Sequence, residues 1–75
     1  MMNEEDQRRL YPRLERLTRA QLVELWDRCG VEFASPEARK DALRQDAVWL
    51  IGPLLADVEL KTLVAELERL EEGRQ

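Results

Sequence analysis

One cysteine and no histidine in 75 residues leave this chain without the usual reinforcements of a small protein. A domain of this length buries only about 60% of the surface its unfolded chain exposes, so its stability margin is thin. A lone cysteine closes no internal disulfide, and zinc sites with imidazole ligands are excluded. Packed helices or a partner chain must then supply the stability. The missing histidine also removes the commonest general base, and with it every Ser–His or Cys–His nucleophile pair. Neither GxxxxGK[ST] nor GxGxxG occurs among the three glycines. The chain is expected not to be an enzyme, and to hold neither a metal nor a cofactor.

Apolar residues recur at i, i+3, i+4 and i+7 throughout, while alternating apolar and polar runs are almost absent. That pattern predicts an all-α single domain, a small bundle of about four helices near residues 3–16, 19–29, 36–51 and 54–72. In the first, Leu10, Leu14 and Leu17 form the apolar line, and Pro12 is expected to kink or restart the helix. The second is the best specified. Thr18 and Gln21 are spaced as a capping box, with Leu17 and Leu22 as a hydrophobic staple. Its buried stripe is Leu22, Leu25, Trp26 and Cys29, with Val23 beside it. Gly30 then supplies a left-handed exit, and Val31 folds back on Trp26. After the short extended piece Val31-Glu32-Phe33, Ser35-Pro36 reads as a cap and a first-turn proline. Leu43, Ala47, Leu50, Ile51 and Leu54 form the third stripe, and Gly52-Pro53 is expected to be a joint.

In the last helix Asp57 is a candidate cap, and Ala56, Leu60, Leu63, Leu67 and Leu70 step by 4, 3, 4 and 3 as a heptad seam. Two heptads do not sustain a coiled coil unaided. Leu60, Leu63, Val64, Leu67 and Leu70 therefore either close the chain's own core or pair with a second copy as a homodimer. Trp49 lies beside the third stripe. Core packing is the first expectation for it, and an exposed interface anchor the second.

With 44% hydrophobic and 37% charged residues, the chain is too apolar to be disordered. The opening MMNEED carries neither a basic nor an apolar signal region, and the longest apolar run, residues 47–51, is far too short to span a membrane. A reducing cytoplasm is the expected compartment, with no membrane contact.

Charge is unevenly spread. Residues 1–19 hold five arginines and four acids, net +1; residues 20–56 hold four basic and six acidic groups, net −2. Residues 57–75 hold three basic and six acidic groups, net −3, giving −4 in all. Glu4–Arg8, Glu5–Arg9, Glu15–Arg19, Glu24–Arg28, Asp57–Lys61 and Glu66–Arg69 stand three or four apart, as ion pairs on a solvated helix surface do. Arg13, Arg16 and Arg39 have no such neighbour, and Arg9, Arg13 and Arg16 form one stripe. Three arginines make a modest footprint for phosphate, so a solvated helix face is the favoured reading of that stripe.

"LTRAQLVELWDRCGVEF", followed by "RKDALRQDAVWLI", resembles the helix–extended-loop–helix modules grouped as SAP, HeH and LEM-type domains. Leu17, Thr18, Leu22, Leu25, Gly30, Val31, Lys40 and Leu43 match their outline over residues 17–51. The resemblance implies DNA or chromatin-type partners met through the loop and the start of the second helix, where Arg39, Lys40 and Arg44 stand. The loop departs from the short glycine-lysine turn of SAP-type modules, being the longer "ASPEARK" with Glu37 among the implied contacts.

Cys29 is expected to be a small core residue, because no base accompanies it. Glu66, Glu68, Glu71 and Glu72 read as an acidic helix end and not as a metal site, since no loop gathers their oxygens around one point. The leading expectation is a binding or regulatory module that works by helix-mediated protein–protein contact, with Trp49, Leu60, Leu63, Val64, Leu67 and Leu70 as the candidate interface. The alternative is DNA or RNA binding through Arg13, Arg16, Arg39, Lys40 and Arg44.

Overall fold

The computed structural model describes residues 3–73, and within them five helices and no strand. These are α1 (Glu4–Glu15), α2 (Arg19–Arg28), α3 (Pro36–Ala42), α4 (Ala47–Asp57) and α5 (Leu60–Glu72). The first two residues of the acidic opening stretch lie outside the described range.

Side-chain caps start the first three helices. Asn3, Thr18 and Ser35 are extended, and their side-chain oxygens accept from the backbone N–H groups of Asp6, Gln21 and Ala38 at 2.8, 3.1 and 3.1 Å. Each bond satisfies one of the donors a helix start leaves without an internal partner. The Gln21 side chain in turn accepts from the Thr18 N–H at 2.9 Å, completing the capping box. At the other end of α2, Gly30 takes φ +76°. The Val31 N–H then reaches the Trp26 carbonyl at 2.9 Å and the Gly30 N–H that of Asp27 at 3.3 Å, a Schellman exit.

Two joints fall elsewhere than the sequence pattern suggests. The helix expected over residues 36–51 is two helices, because the chain turns at residues 43–46. The N–H groups of Arg44 and Gln45 bond back to the Asp41 carbonyl and close α3, and Asp46 is extended before α4. Arg19 Nε donates to the Gln45 carbonyl at 2.6 Å, giving the turn a donor from α2. The turn swings Leu43 off the apolar stripe, so it is 44% exposed.

Gly52-Pro53 is no joint at all; both lie inside α4. Pro53 deprives only the Trp49 carbonyl of its helical donor, and Trp49 sits at the surface where water can serve instead. An interior proline costs about 3 kcal/mol, whereas burying Leu54 and Leu55 from the same helix contributes about 1.5–3 kcal/mol each. The helix continues because packing wins. Pro12 behaves alike inside α1, freeing the carbonyl of exposed Arg8. The second break falls instead at extended Val58 and Glu59, so Asp57 ends α4 and does not cap the next helix. Val58 is buried there as part of the core.

One apolar cluster joins the elements. Leu10 and Leu14 of α1, Leu22, Leu25 and Trp26 of α2, Leu50, Ile51 and Leu54 of α4, and Leu63 and Leu67 of α5 are its main members. α2 packs on α4 and α5, α1 on α4, and α3 on α2. The buried Trp26 indole Nε1–H donates to the Leu50 carbonyl at 2.7 Å, tying α2 to α4.

Two substitutions probe this frame. A Cβ at residue 30 would meet nothing within 4 Å, so Gly30→Ala is penalised by backbone conformation alone. It should lower the unfolding free energy by about 1 kcal/mol in urea titration. Trp26→Phe keeps a buried ring but removes the indole donor that ties α2 to the Leu50 carbonyl, and should cost about 1 kcal/mol in the same measurement.

Candidate interaction surface

The outer face of α4 is the most unusual surface in the molecule. Its sequence, AVWLIGPLLAD, holds a single charged residue, Asp57 at its last position. At roughly 100° per residue, Leu50, Ile51, Leu54 and Leu55 turn to the core while Val48, Trp49, Gly52, Pro53 and Ala56 share the opposite arc. A helix apolar on all sides normally lies inside a larger body. Here Trp49 is 69% exposed and Val48 52% exposed, with Leu43 at the preceding turn. Core packing, the first expectation for Trp49, is therefore wrong. The cause is helical rotation: Trp49 stands roughly 140–160° around the axis from Ile51 and Leu54, opposite the stripe and not beside it, so the inner face goes to four aliphatic residues.

The α5 seam divides. Leu63 and Leu67 are wholly buried in the chain's own core and present nothing to a second copy. Leu60 is 38% exposed beside half-buried Val64, in a groove between α1 and α5 that Leu10, Arg9 and Arg13 also line. Leu70 is half-buried against the core.

The arginines that lack a helical neighbour find carboxylates across the fold. Arg13 makes a two-pronged pair with Glu71 of α5, its Nε donating to Oε2 at 3.2 Å. That hydrogen bond raises the Arg13 pKa against a smaller opposing effect of burial, and the charges of Glu71 and Glu68 add to the rise. Arg39 of α3 pairs with Asp27 of α2. Arg16 is exposed at the C-cap of α1. Lys40 and Arg44 are exposed, and neither forms an ion pair among the described residues. The five candidate phosphate contacts are thus scattered over α1 and its C-cap, α3 and the following turn, with Arg13 and Arg39 committed to carboxylates.

Of the pairs expected along helices, Glu4–Arg8, Glu5–Arg9 and Glu24–Arg28 form at 2.9–3.0 Å, and Glu66–Arg69 at 3.6 Å. Glu15–Arg19 and Asp57–Lys61 straddle helix breaks, and Arg19 turns to Gln45 instead. Arg28 also reaches Glu66 at 3.5 Å, linking α2 to α5. Among the described residues no side-chain cluster is placed to hold a metal ion, and no helix is long and apolar enough to cross a membrane. The chain matches no family model, no curated protein and no solved structure.

Cys29 is half-buried at the end of α2. Burial, and secondarily the charge of Glu66, pushes its thiol pKa up, so the reactive thiolate is disfavoured. Folding then favours the protonated thiol. That stability is fully present below the unfolded thiol's pKa of about 8.5 and is lost as pH rises through the higher folded value. Chemical denaturation should show stability falling above about pH 8.5 in the native chain. Cys29→Ala should flatten that decline, and an equally steep decline in the variant would reject the cause.

Proposed function

We propose that this chain is a small non-enzymatic binding module that makes helix-mediated contact with a protein, with Trp49 as its anchor. The observation that carries the reading is a tryptophan 69% exposed on a helical face without charge. Roughly 150 Å² of that side chain lies in water, and covering it is worth about 3–4 kcal/mol. Tryptophan is enriched among the few residues that dominate binding interfaces, and a flat helical face suits a partner helix laid along it. The absence of histidine supports binding over catalysis.

Nucleic-acid contact through Arg13, Arg16, Arg39, Lys40 and Arg44 has less support. Arg13 and Arg39 are engaged with Glu71 and Asp27, and the chain is net −4. A phosphate backbone rewards clustered free cations. The helix–extended-loop–helix likeness alone does not carry the function.

Replacing Trp49 by a photoreactive benzophenone amino acid in living cells tests the reading. The expected product is a discrete protein adduct, suppressed when Val48→Glu places a charge on the same face. No adduct, or an adduct to nucleic acid only, would reject protein contact at this face.

A further inference from the structure

We propose that the protein partner of the α4 face is a second copy of this chain, whose own α4 lies antiparallel across a twofold axis near Gly52 and Pro53. This rests on the reading that the face makes protein contact, and it names the occupant.

Gly52 is the first reason. Glycine inside a helix is destabilising relative to alanine, yet its φ is not positive and a Cβ there would meet nothing within 4 Å. The following Pro53 accounts for part of the choice, because a Cβ at residue 52 in helical conformation would crowd the proline ring, but no residue beyond the chain neighbours calls for glycine. What the residue leaves is an outward notch on a helical face, which lets another backbone approach closely.

Size is the second. About an axis at residues 52 and 53, an antiparallel pairing sets Trp49 of one copy over Ala56 of the other, twice. Each bulky side chain meets a small one, and Gly52 sits at the centre. An isologous contact needs this reciprocity, residue i on j and j on i.

Charge is the third. At the turn into α4 stand Arg19, which reaches the Gln45 carbonyl, and Arg44 against Asp46, a sum of +1. At its far end stand Asp57 and Glu59 against Lys61, a sum of −1. Antiparallel pairing superposes unlike ends at both sites, and the helix dipoles oppose favourably as well. Parallel pairing would superpose like on like. Between the ends, no ionised group on the face has to lose its water.

Area sets the strength. The exposed parts of Leu43, Val48 and Trp49 with the small residues beside them amount to an apolar patch on the order of 400 Å². Interfaces are about 56–65% apolar, so the contact would cover roughly 600–700 Å² per copy, just below the standard size. The dimer should dissociate in the micromolar range or above.

Sedimentation velocity of the full chain from about 1 μM to about 1 mM should show the 8.8 kDa monomer giving way to a species of twice that mass, 17.6 kDa. Trp49 emission should shift to the blue over the same range, while Trp26, already buried, contributes a constant signal. Gly52→Arg should weaken association at least about tenfold with far-ultraviolet circular dichroism unchanged. Arg44→Glu and Asp57→Lys should each weaken it, and both together in one chain should restore it. A monomer at every concentration, a dimer indifferent to Gly52→Arg, or a double variant no better than the singles would overturn the proposal. If the chain stays monomeric while the photoreactive group at residue 49 captures a different protein, only the second copy is refuted. If it captures nothing, protein contact at this face falls as well.

Discussion

Trp26 is the point at which the separate elements become one structure. Its indole N–H is a donor with no acceptor lone pair of its own, and once buried it must find an oxygen. It finds the Leu50 carbonyl at 2.7 Å, which fixes α2 against α4. Its ring stacks on Phe33 at 4.4 Å between centroids and 16° between planes, which holds the extended segment after α2 against the helix. Its own carbonyl accepts the Val31 N–H that turns the chain at Gly30. One residue thus sets the exit of α2, the path of the following segment and the position of α4.

Ion pairs complete what the apolar cluster begins, chiefly for α5. Leu63 and Leu67 anchor that helix from inside, and Arg13–Glu71 and Arg28–Glu66 tie its outer edges to α1 and α2. Exposed pairs are weak individually. The Arg13–Glu71 pair differs by being two-pronged and only about one-third exposed, a geometry that specifies orientation as well as attraction. The negative tail of the chain is therefore partly neutralised by contacts within the fold, and Arg13, a candidate for phosphate on spacing alone, supplies one of them.

What was legible in the sequence was the chemistry contained within a few consecutive residues. The Thr18–Gln21 box, the Ser35-Pro36 start and the Gly30 exit each depend on neighbours in the chain, and each appears where the pattern places it. Helix breaks were less legible because they depend on distant groups. Gly52-Pro53 is the strongest local punctuation in the chain, yet Leu54 and Leu55 outweigh it by reaching the core. The turn at residues 43–46 has no glycine or proline to announce it, and it exists where Arg19, 26 residues away in sequence, meets the Gln45 carbonyl. The exposure of Trp49 has a local cause: it stands roughly 140–160° around α4 from Ile51 and Leu54, which is the side away from the buried stripe.

That rotation also relocates the surface with which the chain can meet a partner. The heptad seam of α5 pointed to the last helix, but its two best-spaced leucines are needed inside. A chain this short cannot fill its core and also keep a second leucine stripe exposed without losing stability. α4 resolves the conflict because it is apolar on both sides: four aliphatic residues serve the core, and Val48, Trp49 and the small residues beside them remain outside. The outer set contributes little to the chain's own packing, so its composition is free to be shaped by what it touches. A glycine in mid-helix with open space beyond it, near the most exposed large apolar side chain among the described residues, is what such a division of labour leaves behind.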